Sequence, residues 1–481
     1  MTGLEKQTEK SHPLKSGVQS FSKLSVLVAL HILIFAGIFL NNGLDYRSKI
    51  ALFAFLSAMT LWITTKISAG FVAISLIVFI IIMNASEPIV LYESLSEEVV
   101  WLMIGSFIIG EAVKESGLSE RVTHIILSKT KDKGKVLTGV SSILFASVFF
   151  IPSTSGRAAL SSPIINQLSQ KYTKKEQSVL VLLAPIIILM STSATIIGAG
   201  SHLIGIGLLE STVQQSISFF KWFVWGFPFA LVITLLSLFI VKWILWPKDG
   251  LKVLKNNQTF EPTPLKKQLN QTEKKTLVLM ILLIVGWMTE GIHGYDIAFI
   301  TMIGAILVMT PSYGIINWKQ GMKSVSWNLI VFVAAAAALG KIVVETGVVK
   351  WMESEILSFL YLFTGAPEWL IVLVILLVTV TSHLYITSHT TRAIVFIPGL
   401  LLFSEAIGIN PSTVVFLSLL GMNYCLTFPV SSKALLLFYE EEGTSYDARN
   451  LLKISAILMP IYIVVMMVFY FTYWQWTGLQ L

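Results

Sequence analysis

Two short runs decide how this chain is read. Residues 151–158 are Ile151-Pro152-Ser153-Thr154-Ser155-Gly156-Arg157-Ala158, followed by Pro163. Residues 388–393 are Ser388-His389-Thr390-Thr391-Arg392-Ala393, followed by Pro398. Both fit S-x-[ST]-x-R-A-x4-P, with one offset of 235 (388 − 153) at the Ser, the Arg and the Pro. A weaker pair, Glu115-Ser116-Gly117 and Glu345-Thr346-Gly347, is offset by 230 (345 − 115). The chain therefore reads as an internal repeat.

The surroundings of these runs are apolar. Of 481 residues, 55% are apolar and 13% are charged, against about one-quarter charged in a soluble protein. This excludes an ordinary soluble enzyme, a nucleic-acid binder and a disordered scaffold. The net charge of +7 comes from Lys and Arg in short segments between apolar runs, the pattern of membrane orientation. The single cysteine, Cys425, excludes an internal disulfide, a cysteine-ligated zinc site and an iron–sulfur cluster. Residues 1–22 are polar and Lys-rich, so no cleavable signal peptide is expected.

Full apolar spans are expected near 23–41, 49–65, 69–90, 98–116, 178–209, 219–246, 275–293, 296–313, 326–346, 411–438 and 452–474, eleven in all. Lysines cluster in residues 1–22, in 129–135, in 171–175 and in 247–274, whereas 87–98 carries four Glu and no cation. The positive-inside rule then places the N-terminus in the cytoplasm and the C-terminus outside, in a bacterial-type inner membrane. The first half is 23–246, an extra helix plus the first repeat. Residues 247–274, with Pro262 and Pro264, form a cytoplasmic linker, and 275–481 is the second repeat. Five spans separate corresponding points, and an odd number inverts the second copy relative to the first, the plan of many secondary transporters.

Residues 135–169 and 366–404 each have two apolar arms too short to cross the bilayer. Each reads as a re-entrant hairpin with a polar tip at mid-depth, tolerated only where protein or a wet cavity satisfies the backbone. N–H groups at the start of each second arm favour an anion. Arg157 and Arg392 follow about one turn in. An arginine at the bilayer centre costs at least ~2.5–3.5 kcal/mol, so each needs a partner: a mobile anion, or a backbone carbonyl or distant Glu that makes it a brace. The planar guanidinium suits a carboxylate or a sulfonate. Ser153, Thr154, Ser155, Ser388, His389 and Thr390 add donors at the tips. A second polar break follows each hairpin, at Ser191–His202 and at Asn423–Lys433, bringing Thr195, Thr427 and Pro429 into the candidate site. His202 and His383 read as structural hydrogen-bonding residues.

These features resemble the divalent anion:sodium symporter family, part of the ion-transporter superfamily that carries dicarboxylates, citrate and sulfate. Its two Ser-Asn-Thr signatures at hairpin tips are matched by Ser153-Thr154-Ser155 and Ser388-His389-Thr390, with Pro163 and Pro398 in register. The likeness runs from about residue 98 to 440. It implies eleven spans, a homodimer, elevator-type movement, a small dianionic substrate bound by the signature Ser and Thr residues, and sodium held near the Asn and the unwound segments, here near Ala199 and Cys425. Thr154 and His389 stand in place of both Asn, and two Arg follow. A fixed cation neutralises a dianion as sodium would but cannot leave. The expectation is anion exchange with no cofactor and no sodium, against the alternatives of sodium- or proton-coupled symport. An intramembrane enzyme or a channel is the reading from another class, and no GxSxG, HExxH or Cys/His cluster supports the enzyme.

Overall fold

A computed structural model describes residues 14–65, 67–118, 121, 133–149, 151, 153–170, 172–247, 269–348, 351, 365–386, 389–440 and 445–481. Ser388, the Lys-rich segment 122–132 and most of the expected linker lie outside the described residues. Among the described residues there is no strand. The helices of eight residues or more are, in order, α1 (Leu14–Phe39), α2 (Tyr46–Thr64), α3 (Ala69–Ile82), α4 (Glu98–Glu115), α5 (Lys133–Ala146), α6 (Thr154–Ser169), α7 (Lys174–Met190), α8 (Gly200–Val213) and α9 (Phe219–Leu245). The second half supplies α10 (Gln271–Met288), α11 (Ile297–Met309), α12 (Trp327–Glu345), α13 (Glu368–Thr381), α14 (His389–Ala406), α15 (Pro411–Asn423), α16 (Lys433–Glu440) and α17 (Ala448–Phe469).

Local chemistry sets where these helices start. Thr173 and Glu176 form a capping box at α7, Asn270 and Glu273 another at α10, each satisfying two orphan N–H groups. Ser153, in extended backbone, caps α6 by accepting from the Gly156 N–H at 3.2 Å. Helix α1 starts earlier than its apolar run, inside the expected N-terminal tail, where no proline separates Leu14 from that run and Gly17 is accommodated within the helix.

Three helical stretches, Lys174–Ala194, Phe219–Leu245 and Ala448–Trp474, are each long and apolar enough to cross a membrane by themselves among the described residues. Seven shorter apolar helices accompany them. Two of the expected spans, 178–209 and 411–438, are each divided by a break into a helix pair, α7/α8 and α15/α16. The two expected hairpins are helix–break–helix units, α5/α6 and α13/α14, each first arm ending in a 3-10 turn, Ser147–Phe149 and Ser382–Leu384.

The packing of the halves is reciprocal. Helix α4 packs on α11 while its counterpart α12 packs on α3; α6 packs on α16 while α14 packs on α8. Each half thus completes the other. Two groups of helices result: α1–α4 with α10–α12, and α5–α9 with α13–α17. They meet chiefly through α8, which packs on α12 and α4. An aromatic cluster binds α9, α15 and the π-helical turn Tyr470–Trp474 that follows α17, with Trp222 and Trp474 at ring-centroid distances of 5.1 and 5.4 Å from Phe416. In a bilayer such close packing replaces the hydrophobic effect as the force between helices.

At the start of α10, the buried Glu273 carboxylate accepts from Arg121 Nε at 2.7 Å. Burial opposes its ionisation, but the Arg121 bond and the Asn270 N–H outweigh this and hold its carboxyl below the ordinary value of 4.5. A carboxyl depressed by folding stabilises above its unfolded value and loses that stabilisation as pH falls through the folded one. Glu273→Gln, which removes the carboxylate that accepts from Arg121 Nε, is expected to cost ~1.5–3 kcal/mol at pH 7. Thermal unfolding in detergent should show wild-type stability declining below pH 4.5 and the variant losing that part of the decline.

Candidate functional site

The two breaks share one backbone design. In the first, extended Thr195 and Ala199 bracket a 3-10 turn at Ile196–Gly198. In the second, extended Phe428 and Ser432 bracket a 3-10 turn at Pro429–Ser431. Corresponding residues are offset by 233 (432 − 199), close to the offset of the hairpin motif. Free backbone groups in these turns need partners, and buried polar side chains supply them.

Arg157, on α6, is 1% exposed. Its Nη1 donates to Ser191 Oγ at 2.9 Å, and its Nη2 donates to Thr192 Oγ1 at 2.9 Å and to the Gly198 carbonyl at 3.3 Å. The guanidinium therefore spans the first break, inside a cage of two hydroxyls and one carbonyl. These bonds tie α6 to the break. Arg392, on α14, is 0% exposed and differently held. Its Nη1 donates to the Tyr424 carbonyl at 3.2 Å, while Nε and Nη2 have no hydrogen-bond partner. The two arginines occupy matching sequence positions with unequal surroundings.

The tip residues Ser153, Thr154, Ser155, His389 and Thr390 are all partly exposed. They begin α6 and α14, which pack on the helix following the opposite break. His389 Nε2 lies 3.0 Å from Cys425 Sγ. Thr195 is fully buried and donates to the Val148 carbonyl at 3.4 Å, tying the first break to the first arm of its hairpin. Thr427, 8% exposed, makes the matching tie through His383 Nε2 at 2.6 Å and also meets Ser455 Oγ at 3.0 Å. Pro429 is partly exposed beside it, and Ala199 and Cys425 are buried. Lys433, which starts α16, is exposed.

Sequence reasoning left Ser191, Thr192, Ser193 and Asn423 outside the named site. Asn423 joins the halves. Its Nδ2 donates to Ser193 Oγ at 3.1 Å and meets His202 Nε2 at 2.9 Å, while His202 Nδ1 faces the Thr195 carbonyl at 3.2 Å. Neutral His202 donates from Nδ1 to that carbonyl and accepts at Nε2 from the amide. The signal was an amide closing one apolar helix and an imidazole opening another, and their pairing across the halves is not legible along the chain.

Helix breaks, two buried arginines, partly exposed polar tips and a repeat packed reciprocally define a polytopic helical transporter. The chain belongs to the family described as the sodium:sulfate symporter transmembrane region, whose model matches residues 18–480. It is thus an integral membrane protein, a secondary transporter of anions and not an enzyme. It is 23% identical over 467 residues to a sodium-dependent dicarboxylate transporter, SdcS, of Staphylococcus saprophyticus, covering 89% of this chain and 88% of that one. It is 23% identical over 387 residues to a membrane protein of Cupriavidus necator, covering 78% and 74%. Among solved structures, the YdaH transporter of Alcanivorax borkumensis shares the fold with a TM-score of 0.53 and 13% identity, covering 81% of this chain and 88% of that one.

The first break also depends on Gly226 of α9. A Cβ there would stand 2.2 Å from the Ser193 carbonyl, which accepts from Trp222 Nε1 at 3.0 Å. Backbone cannot yield as a side chain can, so Gly226→Ala is expected to destabilise by at least ~1–3 kcal/mol. The check is a lowered melting temperature and reduced transport in the purified protein, with Gly200→Ala, which meets nothing within 4 Å, as the control.

Proposed function

We propose that this protein exchanges small dianions, dicarboxylates first among them, across the cytoplasmic membrane without sodium or any cofactor. The observation that carries the reading is the Arg157 cage. Hydroxyl and unwound carbonyl oxygens are the groups with which transporters of this architecture hold a coupling cation. Here Ser191, Thr192 and Gly198 are occupied by a guanidinium that cannot dissociate. A carrier with two permanent buried charges crosses the bilayer at lower cost when an anion accompanies them. At ~2.5–3.5 kcal/mol or more per uncompensated charge, the empty form moves far more slowly than the loaded one, and flux becomes exchange.

The grouping of helices supports an elevator-type movement. The group α5–α9 with α13–α17 holds both hairpins and both breaks, and meets the other group chiefly through α8. Sliding at that junction would carry the site between faces of the membrane. Inversion of the second repeat, an N-terminus in the cytoplasm, a C-terminus outside and a homodimer complete the reading. The distribution of lysines supports the orientation, and the family resemblance supports the dimer.

A second reading, sodium-coupled dicarboxylate symport, is favoured by the name of the Staphylococcus relatives. Proteoliposomes separate the two. Exchange predicts uptake of labelled succinate only into vesicles preloaded with an anion, unchanged by an inward sodium gradient. Concentrative uptake into empty vesicles, driven by sodium, would sink exchange. Arg157→Gln is expected to reduce exchange at least ~10-fold, because charge-assisted bonds at ~1.5–3 kcal/mol each are removed from the break.

A further inference from the structure

We propose that Arg392, His389 and Cys425 form one anion clamp, in which Cys425 is a positioning residue that fixes the tautomer of His389. The inference rests on the anion-transport reading above, and not on how transport is coupled. Arg392 uses Nη1 on the Tyr424 carbonyl, leaving Nε and Nη2 unpaired on a fully buried side chain. Those two nitrogens form the side edge of the guanidinium, a pair of parallel N–H groups that matches the two oxygens of a carboxylate. The same edge of Arg157 is closed at Nη2 by Thr192 and Gly198. The second half therefore offers the open fork.

His389 precedes Arg392 by three residues, which sets both on one face of α14. Its Nε2 meets Cys425 Sγ at 3.0 Å, and its Nδ1 is buried without a partner. Cys425 also lies against the Arg392 guanidinium, so the three groups converge. Neutral imidazole has two arrangements here. With the proton on Nε2, Nδ1 would present a lone pair, which repels an anion. With the thiol donating to Nε2, Nδ1 carries the proton and becomes a third donor beside the fork. The thiol thus turns His389 from an acceptor into an anion-binding group. The clamp takes a carboxylate through two N–H groups of Arg392 and one of His389.

The test is calorimetric binding of succinate to the purified protein in sodium-free detergent, with no gradient across a membrane. Losing a hydrogen bond to a charged group corresponds to roughly a tenfold change or more. Cys425→Ala and the volume-conserving Cys425→Val are expected to weaken succinate about tenfold, whereas Cys425→Ser, which keeps a donor, stays within about twofold of wild type. In a His389→Asn background, whose amide donates without help, Cys425→Val should cost nothing more. Wild-type affinity in Cys425→Val, equal losses in Cys425→Ser and Cys425→Val, or a further loss in the Asn background would each overturn the clamp. A wild-type protein that binds neither succinate nor sulfate would instead overturn the anion reading beneath it.

Discussion

A guanidinium sealed inside an apolar helix bundle must find oxygen, and the rest of this structure is arranged around that need. Arg157 cannot reach water, so its Nη donors go to Ser191, Thr192 and the Gly198 carbonyl, and its Nε has no partner. The Gly198 carbonyl is free to accept because the helix between Met190 and Gly200 is interrupted. The interruption in turn survives only because the arginine, Trp222 and the Thr195–Val148 tie satisfy its backbone and side chains. Neither the charge nor the break is tolerable without the other.

The second half repeats the plan with different chemistry. Arg392 holds its break only at the Tyr424 carbonyl, and neutral bonds among His383, Thr427, Tyr424 and Ser455 make the other described ties there. The Nε and Nη2 of its guanidinium are left without a hydrogen-bond partner. The two frames match in sequence, but Arg157 is bonded to the hydroxyls and carbonyl of its break while Arg392 keeps two donors unpaired. The reciprocal packing of α6 on α16 and α14 on α8 sets the two frames against each other, and the Asn423–His202–Ser193 bridge couples them across the middle.

A transporter must also bind its cargo without being locked by it. The bridge between breaks is buried and neutral, suited to holding shape, whereas the tips from Ser153 to Ser155 and from His389 to Thr390 are partly exposed. The polar groups that reach the surface are thus those of the tips, and those that hold the breaks together are sealed.

Much of this was legible along the chain. The charge deficit and the length of the apolar runs pointed to a polytopic helical membrane protein, because a run of about 20 apolar residues crosses the bilayer as a helix with its backbone satisfied. The repeated S-x-[ST]-x-R-A-x4-P runs marked both hairpins and both arginines, since their offset is preserved to the residue. Their inequality was not legible. Arg157 and Arg392 sit in identical local patterns, and what distinguishes them is whether Ser191 and Thr192, more than thirty residues away, or only the Tyr424 carbonyl stands opposite. Likewise Asn423 and His202 lie in separate apolar runs, 221 residues apart, and become partners only when two halves interlock. Periodicity and composition act through a residue's own neighbours in sequence. A hydrogen bond between distant helices depends on how those helices pack, and that is decided in three dimensions.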